Sequence, residues 1–332
     1  MKLKVVGMRG AKLAMAGLAL LLIVSCGGGT QVEKYVPTRV LAFGDENSVI
    51  ESDGRKYTVN GLSSDGLGTI DCQASALWIQ QLAFYYGLVF QQCPGTVVSP
   101  TSRIYAAYGA KVADVAAQVA AAGGAFGPKD LATVLVGAND VIALYGQFNG
   151  SNTDALKAGA EAVGAALADQ IVAISKAGAK VLYSTVPDVG QTPFALKEDV
   201  SFGTGRAALL SQLTERLNAK LRTGVSAKLG GHEASQMLAD ESFHAVVATA
   251  TTAPNALTYL NVTTPVCDPT LVTPPAVLGC TTATLITGTT TPALTAGGTA
   301  SNYLWADDRH LSRGGQATLG ALAVTQINRT PL

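Results

Sequence analysis

The stretch Val40-Leu41-Ala42-Phe43-Gly44-Asp45-Glu46-Asn47-Ser48 carries the reading of this chain. A short apolar run that stops at Gly-Asp is the pattern of a buried parallel strand. Such a strand delivers side chains to the carboxyl edge of a sheet, where α/β proteins bind their ligands. Glu46 is the side chain delivered there, and the other segments are read against it.

Downstream, strand and helix patterns alternate. Ile50 to Ser64 is polar and rich in Gly, Asp and Ser, and is expected to run over the sheet edge as a pocket rim. A helix is expected from Ser75 to Tyr86. Arg103 to Ala107 reads as a second strand, followed by a helix with Val112, Val115, Ala116 and Val119 on one face. Leu131 to Val136, introduced by Asp130, is a continuous apolar run of the kind buried on both sides of a parallel sheet, and it stops at Gly137-Ala138-Asn139-Asp140. Thr153 to Lys176 shows one long apolar stripe, Lys180 to Thr185 makes the next strand, and Leu210, Leu213, Leu217 and Leu221 mark another amphipathic helix. From Thr249 to Ala300 the periodicity gives way to Thr, Pro and Gly, the composition of a surface loop. A last helix carries Leu319, Leu322, Ala323 and Ile327 on one face, with His310 just before it. The alternation predicts an α/β fold, a doubly wound three-layer α/β/α sandwich around a mainly parallel sheet. No linker or charge block divides residues 37–332, which read as one domain.

The N-terminus has Lys2, Lys4, Arg9 and Lys12 ahead of an apolar run from Leu13 to Val24. That run is short for a membrane span of about 20 residues, and residues 1–25 read as a signal peptide. Ile23-Val24-Ser25-Cys26 resembles the lipobox of bacterial lipoproteins, so Cys26 is the expected lipid attachment point. Gly27-Gly28-Gly29-Thr30 then reads as a flexible tether within residues 26–36. The expected location is the cell envelope, anchored to the outer membrane through the lipid. Without residues 1–25 the chain has 19 basic and 23 acidic side chains, and no basic stripe remains for nucleic acid. Four other cysteines, Cys72, Cys93, Cys267 and Cys280, form an even set in an exported chain. Of the three possible connectivities the simplest pairs Cys72 with Cys93 and Cys267 with Cys280.

Gly44-Asp45, Gly109, Gly137-Ala138-Asn139-Asp140 and Asp307-Asp308-Arg309-His310 occur in the block order of the SGNH or GDSL-type hydrolases, which the chain resembles over essentially its whole mature length. The tail from Asn261 through Cys267 and Cys280 to His310 looks most like the passenger domains of bacterial esterase autotransporters. Thr185-Val186-Pro187-Asp188-Val189-Gly190 also resembles a segment common in that superfamily. The resemblance implies hydrolysis of esters or related acyl groups and a small ester or lipid-like ligand. It makes His310 the base, Asp307 the group that orients it, and Gly109 N–H with the Asn139 amide the oxyanion hole. The three-residue spacing to His310 favours Asp307 over Asp308 as partner.

The chain departs from the family at the nucleophile, where Glu46 stands in place of serine. Either the site is inactive and keeps a ligand pocket, or the carboxylate itself works as nucleophile or general base. Ser48 is a poor substitute, because two residues along a turn swing a side chain away from His310. No cofactor is expected. The sequence has no phosphate-binding glycine motif, no metal-ligand spacing and only His232, His244 and His310; the first two read as surface or loop residues.

Overall fold

The computed structural model describes residues 35–229, 233–252, 259–272, 276–329 and 332. The leader, Cys26, the glycine tether and His232 lie outside them. Five parallel strands form one sheet: β1 (Arg39–Gly44), β2 (Arg103–Ile104), β3 (Asp130–Leu135), β4 (Lys180–Ser184) and β5 (Ala234–Met237), in the order β2-β1-β3-β4-β5. Eight α-helices surround it among the described residues: α1 (Trp78–Tyr85), α2 (Val115–Ala121), α3 (Ala138–Tyr145), α4 (Thr153–Lys176), α5 (Pro193–Phe202), α6 (Arg206–Ser226), α7 (Ala239–Thr252) and α8 (Arg313–Arg329).

Strand alternation explains the layers. Leu41, Phe43, Ala132, Val134, Val181 and Tyr183 face one way and pack with α2, α3, α4 and α6. Val40, Ala42, Leu131, Leu135, Leu182 and Met237 face the other way and pack with α1, α7 and α8. Both faces of the sheet are covered, as a parallel sheet requires, and the doubly wound sandwich expected from the sequence is what the chain forms. The strand order reverses between β1 and β3, and this switch point is where an open α/β sheet leaves a crevice for a ligand.

Several local expectations need correction. The second strand is only two residues long, so the far edge of β1 is completed by a side chain. Gln118 Oε1 accepts the Gly44 N–H at 2.7 Å and its Nε2 donates to Gly44 O at 2.8 Å. The helix expected around Val112 is a 3-10 turn leading into α2, and Gln118 rather than Ala116 shares its buried face. Strand β5 went unread because Ala-Ser-Gln-Met is short and half polar, as suits an edge strand. Helix α5 went unread because it buries only Pro193 and Ala195.

The segment after β1, expected to be a polar rim, is buried over residues 56–61. Tyr57 and Val59 pack with Val266, Ile286 and Tyr303 in a third apolar cluster. Lys56, with no exposed surface, donates to the carbonyls of Cys72, Ala74 and Ser75 at 3.0, 2.6 and 3.0 Å. Asn60 Nδ2 donates to Cys280 O at 3.1 Å. Polar residues enter this layer because each finds backbone partners there. The layer joins residues 49–62 to the C-terminal loop segment, where a disulfide links Cys267 to Cys280; a second disulfide, outside this layer, links Cys72 to Cys93, and the Cα separation is 5.8 Å in both.

Candidate active site

The centre is built where β1 and β3 end. Gly44 has φ of 125°, and a Cβ there would stand 1.9 Å from Leu135 O, so only glycine fits. Asp45 follows, wholly buried, with its amide on Leu135 O at 3.0 Å and its Oδ1 accepting Asn47 N at 3.1 Å. This cap folds Glu46–Ser48 into one 3-10 turn. The turn sends Glu46 and Ser48 in different directions. Ser48 Oγ accepts the Trp78 indole N–H at 3.2 Å and is fully buried away from the centre.

Glu46 is 7 % exposed, and its carboxylate takes up the donors around it. Gly109 N–H donates to Glu46 Oε2 at 2.9 Å. Asn139 Nδ2 lies 2.9 Å from Oε2 and 3.2 Å from Oε1. Asn139 sits in the first turn of α3, just after Gly137, where a Cβ would come within 2.8 Å of Val186. Its amide also donates to Ala110 O at 3.2 Å, and Asp140 Oδ2 accepts Val112 N at 3.0 Å. The two loops that supply the donors are thus tied to each other.

Asp307 and His310 arrive on a tight loop closed by a bridge between Trp305 and Leu311. Asp307 Oδ1 accepts the backbone N–H groups of Arg309 and His310 at 2.9 and 2.7 Å, which fixes the loop. Asp307 Oδ2 lies 2.7 Å from His310 Nδ1. The neighbouring Asp308 instead faces Arg309 Nε at 3.5 Å. His310 Nε2 points at Glu46 Oε1 across 3.6 Å, near enough for charge attraction and too far for a hydrogen bond. The structure therefore brings Glu46, Gly109, Asn139, Asp307 and His310 into one cluster.

Two aromatic residues that sequence reasoning passed over complete it. Tyr57 lies against the His310 ring with centroids 5.7 Å apart, and Tyr108 stacks on Tyr57 at 4.8 Å. Tyr108 is next to Gly109, and that adjacency was the available signal. Tyr57 lay hidden in the segment expected to be a polar rim. His244 is exposed on α7, with Nε2 2.7 Å from Asp188 Oδ2, remote in sequence from these blocks.

Burial works against every charge in the centre, so the partners decide each state. Burial alone would lower the His310 pKa, but Asp307 and then Glu46 reverse this and raise it to about 9. Burial would raise the Glu46 pKa, yet His310 and the Asn139 amide outweigh it and leave it lowered. Asp307 is lowered in the same way, with His310 overcoming burial. Asp45 goes the other way: burial, reinforced by the Glu46 charge, raises it to about 8. At neutral pH the centre is an imidazolium between two carboxylates, above a protonated Asp45. A protonated His310 cannot accept a proton, and the two donors suited to an oxyanion already hold an anion. Among the described residues no group of three or more His, Cys, Asp and Glu side chains is placed to hold a metal ion.

The solved structures that match the chain include a lipase and an esterase. An extracellular lipase from Streptomyces rimosus is 16 % identical, with 88 % of this chain and 99 % of that one covered and a TM-score of 0.42. The acetylxylan esterase Axe2 from Geobacillus stearothermophilus is 12 % identical, with 89 % and 96 % covered and a TM-score of 0.43. The α/β hydrolase LAE5 from the metagenome of Lake Arreo is 11 % identical, with 90 % and 99 % covered and a TM-score of 0.40. No curated protein sequence matches the chain. The profile of the family described as GDSL-like Lipase/Acylhydrolase matches residues 40–322, from the start of β1 into α8, and so takes in every residue of the centre. On that match the chain belongs to the GDSL-like lipase/acylhydrolase family.

Proposed function

We propose that this chain is a member of an ester-hydrolase family whose cleavage site is occupied by its own side chain, and that it binds an ester or lipid-like ligand without turning it over. The observation that carries this reading is the position of Glu46. Its Oε2 accepts both Gly109 N–H and the Asn139 amide at 2.9 Å. Those donors would otherwise stabilise the oxyanion of a tetrahedral intermediate. A substrate carbonyl would have to displace a buried carboxylate from two hydrogen bonds and from its pairing with His310. It would then meet no hydroxyl nucleophile and an imidazole without a free lone pair at neutral pH. In this reading Cys26 carries a lipid that holds the protein at the outer membrane, and the folded domain presents its ligand site from there.

The test is hydrolysis of a panel of short and medium acyl esters by wild type, His310→Ala, Glu46→Ser and Glu46→Ser/His310→Ala. An inert wild type beside an active, His310-dependent Glu46→Ser supports the reading. Turnover by the wild type that disappears in His310→Ala makes the chain an ester hydrolase acting through Glu46 and removes it.

A further inference from the structure

The two oxygens of Glu46 are held differently. Oε2 lies in the donor pair, where Gly109 N–H and Asn139 Nδ2 each donate to it at 2.9 Å. Oε1 meets Asn139 Nδ2 at 3.2 Å and faces His310 Nε2 across 3.6 Å. His310 is 5 % exposed, and its Nε2 has no hydrogen-bond partner among the described residues. The other ring nitrogen is taken by Asp307 Oδ2 at 2.7 Å. A buried N–H without an acceptor is costly, and this one is aimed at the carboxylate oxygen that is less tightly held.

This arrangement suits attack on a saturated carbon rather than on an acyl carbon. Acyl transfer needs the donor pair empty to receive the oxyanion of the substrate. Attack by a carboxylate on an alkyl carbon makes no such oxyanion, and the pair is free to hold the nucleophile in place. What that attack requires is an outlet for the leaving group. A halide or sulfate leaves as a weak base and needs no proton. An epoxide oxygen leaves as an alkoxide, a strong base that stays tethered to the neighbouring carbon, and so needs an acid beside the nucleophile. His310 is that acid, since Asp307 and Glu46 keep it protonated at neutral pH. Tyr108 and Gly109 at the edge of the centre are exposed, and the stacked Tyr57 and Tyr108 rings offer an apolar wall next to His310.

We infer that the chain hydrolyses terminal epoxides with apolar substituents to vicinal diols, with Glu46 as the nucleophile and His310 as the acid and then the base. It rests on the reading of a centre closed to esters, because the carboxylate that shuts out an acyl carbonyl is the group that attacks. Glu46 Oε1 bonds to a ring carbon, the ring C–O bond breaks, and its electron pair takes the Nε2 proton of His310. A hydroxyalkyl ester of Glu46 and a neutral imidazole result. His310 then removes a proton from water as the water oxygen bonds to the Glu46 carboxyl carbon, and the oxyanion forms at Oε2, within the donor pair that holds that atom at the start. Collapse breaks the bond between the carboxyl carbon and Oε1, which departs in the diol and takes the proton back from His310. The carboxylic acid left on Glu46 returns its own proton to His310. The sum is epoxide and water to diol, with no other reactant.

The experiment offers styrene oxide and hexene oxide to the full-length chain in membranes. Diol formation by wild type should exceed that by Glu46→Gln at least tenfold. In a single turnover in heavy-oxygen water the diol should stay unlabelled, and the peptide carrying Glu46 should gain one heavy oxygen. His310→Gln keeps an N–H donor and has no basic lone pair, so its Glu46 peptide should gain the mass of one epoxide. Heavy oxygen found in the first-turnover diol would make Glu46 a base toward water and overturn the nucleophile. Wild type that forms no more diol than Glu46→Gln overturns the activity, whatever the variants' folding. The ester panel run on the same preparation separates the two readings. Ester turnover by wild type alongside Glu46-dependent diol formation sinks only the closed-site reading, and wild type inert to both substrates sinks only the epoxide chemistry.

Discussion

His310 Nε2 stands 3.6 Å from Glu46 Oε1, while its other ring nitrogen is 2.7 Å from Asp307 Oδ2. A histidine gripped by one carboxylate orients a base; a histidine between two is held as a cation. In the proposed reading the second carboxylate stands where a hydrolase of this family would have its nucleophile.

Replacing Glu46 by serine removes that carboxylate and frees both donors. Glu46→Ser should gain ester hydrolysis that is lost on adding His310→Ala. Adding Asn139→Ala instead should lower the gained rate by roughly 10²–10³-fold, the usual effect of losing one oxyanion donor. Steady-state rates on a short aryl ester measure both. A gained rate indifferent to Asn139 would show that the hole is not used.

The charges of the centre also set a pH dependence of stability. His310 titrates at about 9 in the folded chain against an ordinary 6.5, so its contribution is complete below 6.5 and is lost as pH rises through about 9. Glu46 and Asp307 are lowered from 4.5 and 3.8, so theirs is present above those values and lost as pH falls through the lowered ones. Asp45, raised from 3.8 to about 8, adds to the alkaline loss, because the unfolded chain gives up a proton that the folded one keeps. Thermal unfolding should show its highest midpoint near about pH 5 and decline toward pH 9. Glu46→Gln should flatten the alkaline limb by withdrawing a partner from His310 and a repulsion from Asp45. A midpoint that climbs between pH 6 and 9 would contradict this assignment of charges.

Lys56 is a fixed strut beneath the same layer. Burial lowers its pKa to about 8, and its ammonium satisfies three carbonyls. Lys56→Met fills the space and removes this donor from the Ala74 and Ser75 carbonyls, while Cys72 O keeps the Gln80 amide at 3.0 Å, and should cost about 3 kcal/mol in denaturant unfolding. A loss under about 1 kcal/mol would mean that the layer rearranges to satisfy them.

The Cys267–Cys280 link closes a separation of 13 residues. Cys267→Ala/Cys280→Ala should cost about 3 kcal/mol by the loop-entropy estimate. It should also loosen the loop wall beside Asp307, which hydrogen exchange at residues 263–292 would report. Unchanged exchange there would place the strength of that wall in its apolar packing instead.

How much was legible in advance follows from what each residue contacts. β1, β3 and β4 are buried on both faces, so their apolar runs stand out in the sequence, and α4 shows its stripe for the same reason. Strand β5 is polar at Ser235 and Gln236 at the sheet edge, and α5 leaves Leu196 and Val200 in solvent, so neither has the pattern that would betray it. Lys56 and Asn60 have the composition of surface residues because their partners are backbone groups, some of them far along the chain, which no side-chain pattern records. Glu46 stands out in the sequence as an acid directly after Gly44-Asp45. Its position in the donor pair does not, since that depends on a distance.

Asn60 grips Cys280 across 220 positions, and the layer they hold together frames Tyr57 against His310. A ribosome delivers Glu46 long before it delivers the His310 imidazole that pairs with its carboxylate. Contacts so distant in sequence form late, after the sheet has condensed. The centre is therefore the finishing step of biogenesis, and a prematurely terminated product would bury an uncompensated anion. Such a fragment would be an unstable species, open to quality-control proteases before it could accumulate.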